Sequence, residues 1–172
     1  MVWLVATLGV ISDTHGLLRP EARAVLGVEM DRIIHAGDFD DRRTLQWLSA
    51  MAEVTAVRGN SDRGTWASAL PDHSVISVEG FAIYVIHDLE HLAIDPQAEG
   101  IAAVVHGHTH QPRNEMLNGV LYFNPGSAGP RRYGRPVSLG KLHVGPQGVS
   151  GEIVILGDSS EAAGIRTGAG NR

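Results

Sequence analysis

Seven side chains in this sequence could hold metal ions: Asp13, His15, Asp38, Asn60, His87, His108 and His110. All are oxygen or imidazole donors. Each follows a short apolar run, and most have a glycine beside them. GVIS is followed by Asp13-Thr14-His15, RIIHA by Gly37-Asp38, TAVR by Gly59-Asn60-Ser61-Asp62, AIYVI by His87, and AAVVH by Gly107-His108-Thr109-His110. Seven such donors exceed one tetrahedral zinc site. They suffice for two ions if one carboxylate is shared. Mixed imidazole and carboxylate ligation suits Mn, Fe, Zn, Co or Ni and is poor for calcium. Residues i and i+2 point the same way if the chain is locally extended. On that reading each of the pairs Asp13/His15 and His108/His110 would reach into one site. The glycines let the backbone turn sharply and let an ion or phosphate approach.

The elements that must position these donors follow from hydrophobic patterning. Runs at residues 8–11, 32–36, 54–57 and 102–105 are rich in Val and Ile and read as buried strands. Pro20 opens PEARAVLG, and Gly27 stands where a helix would stop. Asp40 or Asp41 can cap DRRTLQWLSAM, with Leu45 and Leu48 on one face. The first half is therefore a βαβ pattern with parallel strands. Residues of an α/β sheet that do chemistry collect beyond the carboxyl ends of its strands, where all seven donors stand. The second half changes character. SVISVEGFAIYVIH reads as two strands around Glu-Gly, EMLNGVLYFN as a hairpin at Asn-Gly, and PVSLGKLHVGPQGVSGEIVIL as another antiparallel pair. Few helices and many strands here predict a second sheet packed on the first, with helices outside.

Bulk properties set limits. The chain has 172 residues, is 43% hydrophobic, and suits one domain over residues 1–156. The small, polar, Gly-rich stretch at residues 157–172 reads as a flexible tail. No run of apolar residues is long enough for a membrane span. The start MVWLVATLGVISD has no basic n-region and reads as a strand with a short extension, whose first five residues a different start codon would remove. A missing signal favours the cytoplasm. Cysteine is absent, which excludes disulfides, thiol nucleophiles and thiolate metal sites. Net charge is -5, which argues against an extended nucleic-acid track. The one dense basic cluster is PRRYGR, with Arg131, Arg132 and Arg135. An exposed sheet edge or a Trp-bearing helix would allow a homodimer.

The ordered set D-x-H, G-D, G-N-x-[DE], H and G-H-x-H resembles the signature of the calcineurin-like metallophosphoesterase superfamily. FNPGSAGPRR at residues 123–132 resembles the NPGS segment of its small bacterial and archaeal phosphodiesterase branch. The resemblance spans residues 8–142. It implies an α/β (α+β) fold of two mixed sheets packed as a sandwich and flanked by helices. It implies two divalent ions, commonly Mn, with Ni, Fe, Zn, Co or Mg as alternatives. Asp13, His15, Asp38 and His110 would hold one ion; a bridging Asp38 with Asn60, His87 and His108 would hold the other. The catalytic set it implies is Asp38, Asn60, Asp62 and His108. Two ions held together generate hydroxide near neutral pH, which attacks phosphorus in line with the leaving oxygen. The implied activity is hydrolysis of small or nucleotide-like phosphodiesters. A phosphomonoesterase or protein phosphatase, and a non-catalytic scaffold module keeping the fold, are the alternatives.

Two departures stand out. Ser61 occupies the position where larger members carry a proton-donating His, as small-branch members commonly lack it. Asp88 follows His87 where Gly is usual, adding negative charge that would repel dianionic monoesters more than monoanionic diesters. Asp62 would support the site as a carboxylate that orients a ligand. His35 and His106 read as orienting groups, His91 as a surface residue, Arg58 and Arg63 as ion-pair partners or phosphate binders, and Asn124 and Ser127 as loop fasteners. His73 and His143 receive no role. Trp3, Trp47 and Trp66 read as core or interface residues.

Overall fold

A computed structural model of the chain describes residues 5–157. Trp3 and, apart from Gly157, the expected tail lie outside the described residues. Ten strands form two mixed five-stranded sheets. The first sheet has the order β10-β9-β1-β2-β3, made from β1 (Ala6–Ile11), β2 (Arg32–His35), β3 (Val54–Ala56), β9 (Ser138–Gly145) and β10 (Gly148–Ile155). The second has the order β4-β5-β6-β8-β7, from β4 (His73–Val78), β5 (Phe81–Ile86), β6 (Ile101–Val105), β7 (Arg113–Leu117) and β8 (Val120–Asn124). β1, β2 and β3 run parallel, as do β5, β6 and β8; the outer strands pair antiparallel.

The sheets face each other over a core of alternate side chains, including Val10, Ile34, Ile83, Val85, Val105 and Phe123, all fully buried. Each such side chain contributes roughly 1.5–3 kcal/mol by leaving water. The helices α1 (Pro20–Leu26), α2 (Arg42–Ser49) and α3 (Thr65–Ser68) all pack on the first sheet's outer face. There Ala22, Leu26, Leu48 and Trp66 meet Ile11, Ile33 and Leu139. The second sheet's outer face carries Tyr84, Ile86 and Val104, covered by Leu89, Leu92 and Ile94 of the segment after β5.

The expected helices form where their signals stand. Pro20 occupies the first turn of α1, and Gly27 closes it through its N–H to the Arg23 carbonyl. Asp41 caps α2 by accepting the Arg43 N–H at 2.8 Å. Two features went unread. The short α3 carries no periodic pattern. The β9-β10 pair returns to the first sheet, where β9 lies antiparallel to β1. Nothing local in a hairpin states which sheet it joins. Among the described residues no helix is long and apolar enough to cross a membrane.

Candidate metal centre

The parallel strands of both sheets end on one rim, and the seven donors converge there. Two groups form. Asp13, His15 and His110 place one donor atom each within 4.8 Å of one another, and so do Asp13, Asp38 and His87. Nε2 of His110 lies 3.3 Å from Asp13 Oδ1 and 3.3 Å from His15 Nε2. Asp38 faces both sides: Oδ2 is 3.8 Å from His15 Nε2, and Oδ1 is 3.4 Å from His87 Nε2. The side-chain oxygen of Asn60 lies 3.0 Å from both His87 Nε2 and His108 Nδ1.

Local extension does not bring these residues together. Asp13, His15, Asp38, Asp40, His108 and His110 have φ of 54°, 45°, 60°, 58°, 69° and 56°. Left-handed backbone costs an ordinary residue of order 1–3 kcal/mol and gathers at functional sites. The turned backbone corrects the expected extended pairing. Asp13 and His15 do meet in one group, but His108 and His110 separate, His108 to Asn60 and His110 to Asp13. Alternating left-handed residues aim neighbouring side chains in directions that strand geometry would not.

The donor set fits a cation. Asp13 Oδ1 is fully buried and has no hydrogen-bond partner among the described residues. Unpaired buried carboxylate oxygens are costly, and a cation beside one would satisfy it. The opposed nitrogens of His15 and His110 likewise turn toward one point. Fixed tautomers support this. The Ala36 carbonyl lies 2.7 Å from His87 Nδ1 and can only accept, so Nδ1–H donates and Nε2 faces the centre. Asp40 Oδ2, 2.8 Å from His15 Nδ1, does the same for His15. A ligating imidazole ordinarily donates its other N–H to such a partner.

Charges follow the geometry. Burial alone would raise the Asp38 carboxyl, but the hydrogen bond and charge of His87, with the Ser61 N–H at 2.9 Å, hold it well below the usual carboxylate range. Burial pulls His87 down, yet Asp38 and Asp13 raise it on balance. Burial, aided by the charge of His87, keeps His35 well below its ordinary value and thus neutral. Its Nδ1 accepts the Gly37 N–H at 3.1 Å, and Nε2–H donates to Thr14 Oγ1 at 3.0 Å, tying the loops after β1 and β2 together. His106 is pushed down to about 4, chiefly by burial.

Asp62 uses both carboxylate oxygens on backbone. It accepts N–H bonds from Asp38 (3.1 Å), Phe39 (2.7 Å), Asp40 (2.9 Å) and Gly59 (2.8 Å). Gly59 itself passes so close to Asp38 that a Cβ there would collide with its carboxylate and amide. Asn124 donates to the Gly107 carbonyl at 2.8 Å, and Ser127 Oγ donates to the Asp13 carbonyl at 2.9 Å, so the NPGS segment fastens two donor loops.

A cavity of about 680 Å³ adjoins Asn60 and His87. Arg58, Arg63, His73, Asp88 and His91 also line it. Arg58 is paired with Asp72 at 2.6 Å. Arg63 is exposed and makes no ion pair among the described residues. Asp88 Oδ2 lies 3.7 Å from His108 Nε2. His73 stacks on Tyr84 with centroids 5.3 Å apart.

Sequence reasoning missed two groups here. Ser12 donates to Asp13 Oδ2 at 2.6 Å. The sequence marks Asp40 as a helix-cap candidate, and its place two residues after Asp38 is the one signal that it stands near the donors. Asp40→Asn is expected to weaken divalent-ion binding about 10–100-fold by loosening His15. Equilibrium dialysis with manganese checks this, and unchanged affinity would refute it.

A family model for the calcineurin-like phosphoesterase superfamily domain matches residues 7–145. A probable metallophosphoesterase of Methanothermobacter thermautotrophicus is 32% identical over 161 residues, which cover 87% of this chain and 92% of that protein. Two solved structures share the fold. Vacuolar protein sorting 29 of Cryptosporidium parvum superposes with a TM-score of 0.78 at 20% identity, covering 90% of this chain and 93% of that one. An archaeal phosphodiesterase superposes at 0.74 with 23% identity, covering 87% and 99%.

Proposed function

The chain belongs to the calcineurin-like phosphoesterase superfamily, and on that premise we propose that it is a phosphodiesterase working with two divalent cations, manganese by preference. The observation that carries this reading is Asp38, whose two oxygens face the two donor groups separately. Asp13, His15, Asp38 and His110 would hold one cation, and Asp38, Asn60, His87 and His108 the other. Such a pair supplies a water nucleophile at neutral pH and neutralises phosphoryl oxygens.

The chain's own residues prepare that chemistry. Asp40 and the Ala36 carbonyl hold His15 and His87 in the tautomers whose Nε2 lone pairs face inward. Asp62 fixes the backbone on which Asp38 and Gly59 stand. Asp88 sets the charge that an incoming ester meets beside His108 and at the cavity wall. A monoester dianion is repelled there more than a diester monoanion. The archaeal phosphodiesterase of the same fold is in keeping with this activity.

The test uses metal-stripped protein with Mn, Ni, Co, Zn or Mg restored, on bis-p-nitrophenyl phosphate and p-nitrophenyl phosphate. Manganese rescue with the diester preferred is expected. Asp88→Asn should shift the ratio several-fold toward the monoester, in line with loss of one nearby charge. A monoester preference in the unmodified protein would overturn the diester reading.

A further inference from the structure

The segment between β8 and β9 carries a turn whose first central residue does not suit it. Arg135 N–H closes it on the Arg132 carbonyl at 3.1 Å. Its two central residues, Tyr133 and Gly134, have φ of 57° and 65°. Two successive left-handed residues make the turn that favours Asn-Gly or Gly-Gly. The chain fills the same need elsewhere with Asn118-Gly119 and Glu79-Gly80. Here a tyrosine takes the first position, where a bulky side chain is a genuine outlier; the matching turn closed by Leu17 N–H on the Thr14 carbonyl places the donor His15 there.

Nor does burial explain Tyr133. It is 78% exposed, above every other large hydrophobic residue described. Its ring stands 5.8 Å from the His110 ring at 71°, and the Arg135 guanidinium lies 5.7 Å from the ring centroid. The base of the loop is pinned beside the donors. Arg19 Nε–H donates to the Gly129 carbonyl at 3.0 Å, and Ala128 N–H to the Ser12 carbonyl at 3.1 Å. A strained backbone thus holds an exposed aromatic face against one donor group, across the centre from the cavity beside Asn60 and His87. Arg131 and Arg132 flank it, forming the only dense basic cluster of a chain with net charge -5.

A phosphodiester has two organic arms, and the centre offers two places for them. We propose that Tyr133 and Arg135 form a subsite for one arm, and that this arm is a nucleoside. The inference rests on the phosphodiesterase reading above. A nucleobase presents a flat π-face that stacks on tyrosine and polar edges that accept from a guanidinium. The nearby positive charge draws the monoanionic ester toward the same side.

The test is direct binding to the manganese-loaded full chain. The probes are the methyl esters of adenosine 5′-phosphate and ribose 5-phosphate, which differ only in the base. Equilibrium dialysis should show the adenosine ester held about tenfold more tightly. Tyr133→Ala should erase that difference and leave the ribose ester within about twofold, and Tyr133→Phe should keep the preference. Tyr133→Gly should also erase it without lowering the melting temperature, since glycine suits this backbone. Equal binding of both probes by the unmodified protein would overturn the proposal. So would equal weakening of both by Tyr133→Ala, which would mark Tyr133 as a support for His110. Base-selective, Tyr133-dependent binding without hydrolysis of bis-p-nitrophenyl phosphate would uphold the subsite while removing the catalytic reading.

Discussion

Asp38→Asn protein is expected to hydrolyse bis-p-nitrophenyl phosphate at least about 10³-fold more slowly and to retain fewer than two manganese ions per chain after dialysis. The side chain it replaces is 5% exposed and presents one oxygen to His15 and the other to His87. Asparagine keeps the shape and one acceptor, so the Ser61 N–H retains its partner. What it loses is the negative charge and the second acceptor, and those are what two cations would share. Because the volume is unchanged, a native circular dichroism spectrum should accompany the loss. Metal content and kcat/KM measured on the same preparation check the claim. Normal turnover, or two ions retained, would remove Asp38 from the bridging position.

Asp62→Ala should act through stability instead. Four backbone N–H groups lose their acceptor at once. A buried donor left unpaired costs about 1–3 kcal/mol. Even at the lower bound the total is about 4 kcal/mol, a large share of the 5–15 kcal/mol typical of a domain. For a chain of this size the melting temperature should fall by roughly 8–16 °C. Asp62→Asn keeps one acceptor and should fall between. A shift under about 2 °C in the alanine protein would show that these amides find water or relax without cost. The two substitutions separate two kinds of carboxylate only 24 residues apart in one loop system. One faces the donors; the other holds the peptide planes that carry it.

Most of the candidate donors could be picked out because their strand ends are marked twice, by an apolar run and by a polar residue near glycine; His87 follows its run with no glycine beside it. Ile33-Ile34 followed by Gly37-Asp38, and Val104-Val105 followed by Gly107-His108, show that double mark plainly. The two-sheet architecture followed from the switch between βα alternation and hairpins. What escaped depended on long-range or torsional facts. The left-handed backbone at Asp13, His15, His108 and His110 is imposed by the folded surroundings, since neither Asp nor His demands positive φ. Asp40 meets His15 only because β1 and β2 lie side by side with Ile11 opposite His35. Tyr133 read as part of a charge cluster, because no sequence pattern says that a tyrosine sits in a glycine-type turn.

The position of β1 has a further consequence, for the order of assembly. The strand nearest the amino terminus lies in the middle of its sheet, with β2 on one side and β9 on the other, and Val10 is opposite Gly140. A chain emerging from the ribosome, at about 5–20 residues per second, can form the β1-β2-β3 half early. The other edge of β1 must wait for β9 at Ser138–Gly145. Pairings so distant in sequence fold slowly, because loop closure precedes their reward. Until β9 arrives, that edge of β1 is an open template for other strands, and Asp13 at its end has neither Ser127 nor His110 beside it. On the proposed metal reading, ion capture would belong to the last stage of maturation, after β9 has closed the open edge of β1.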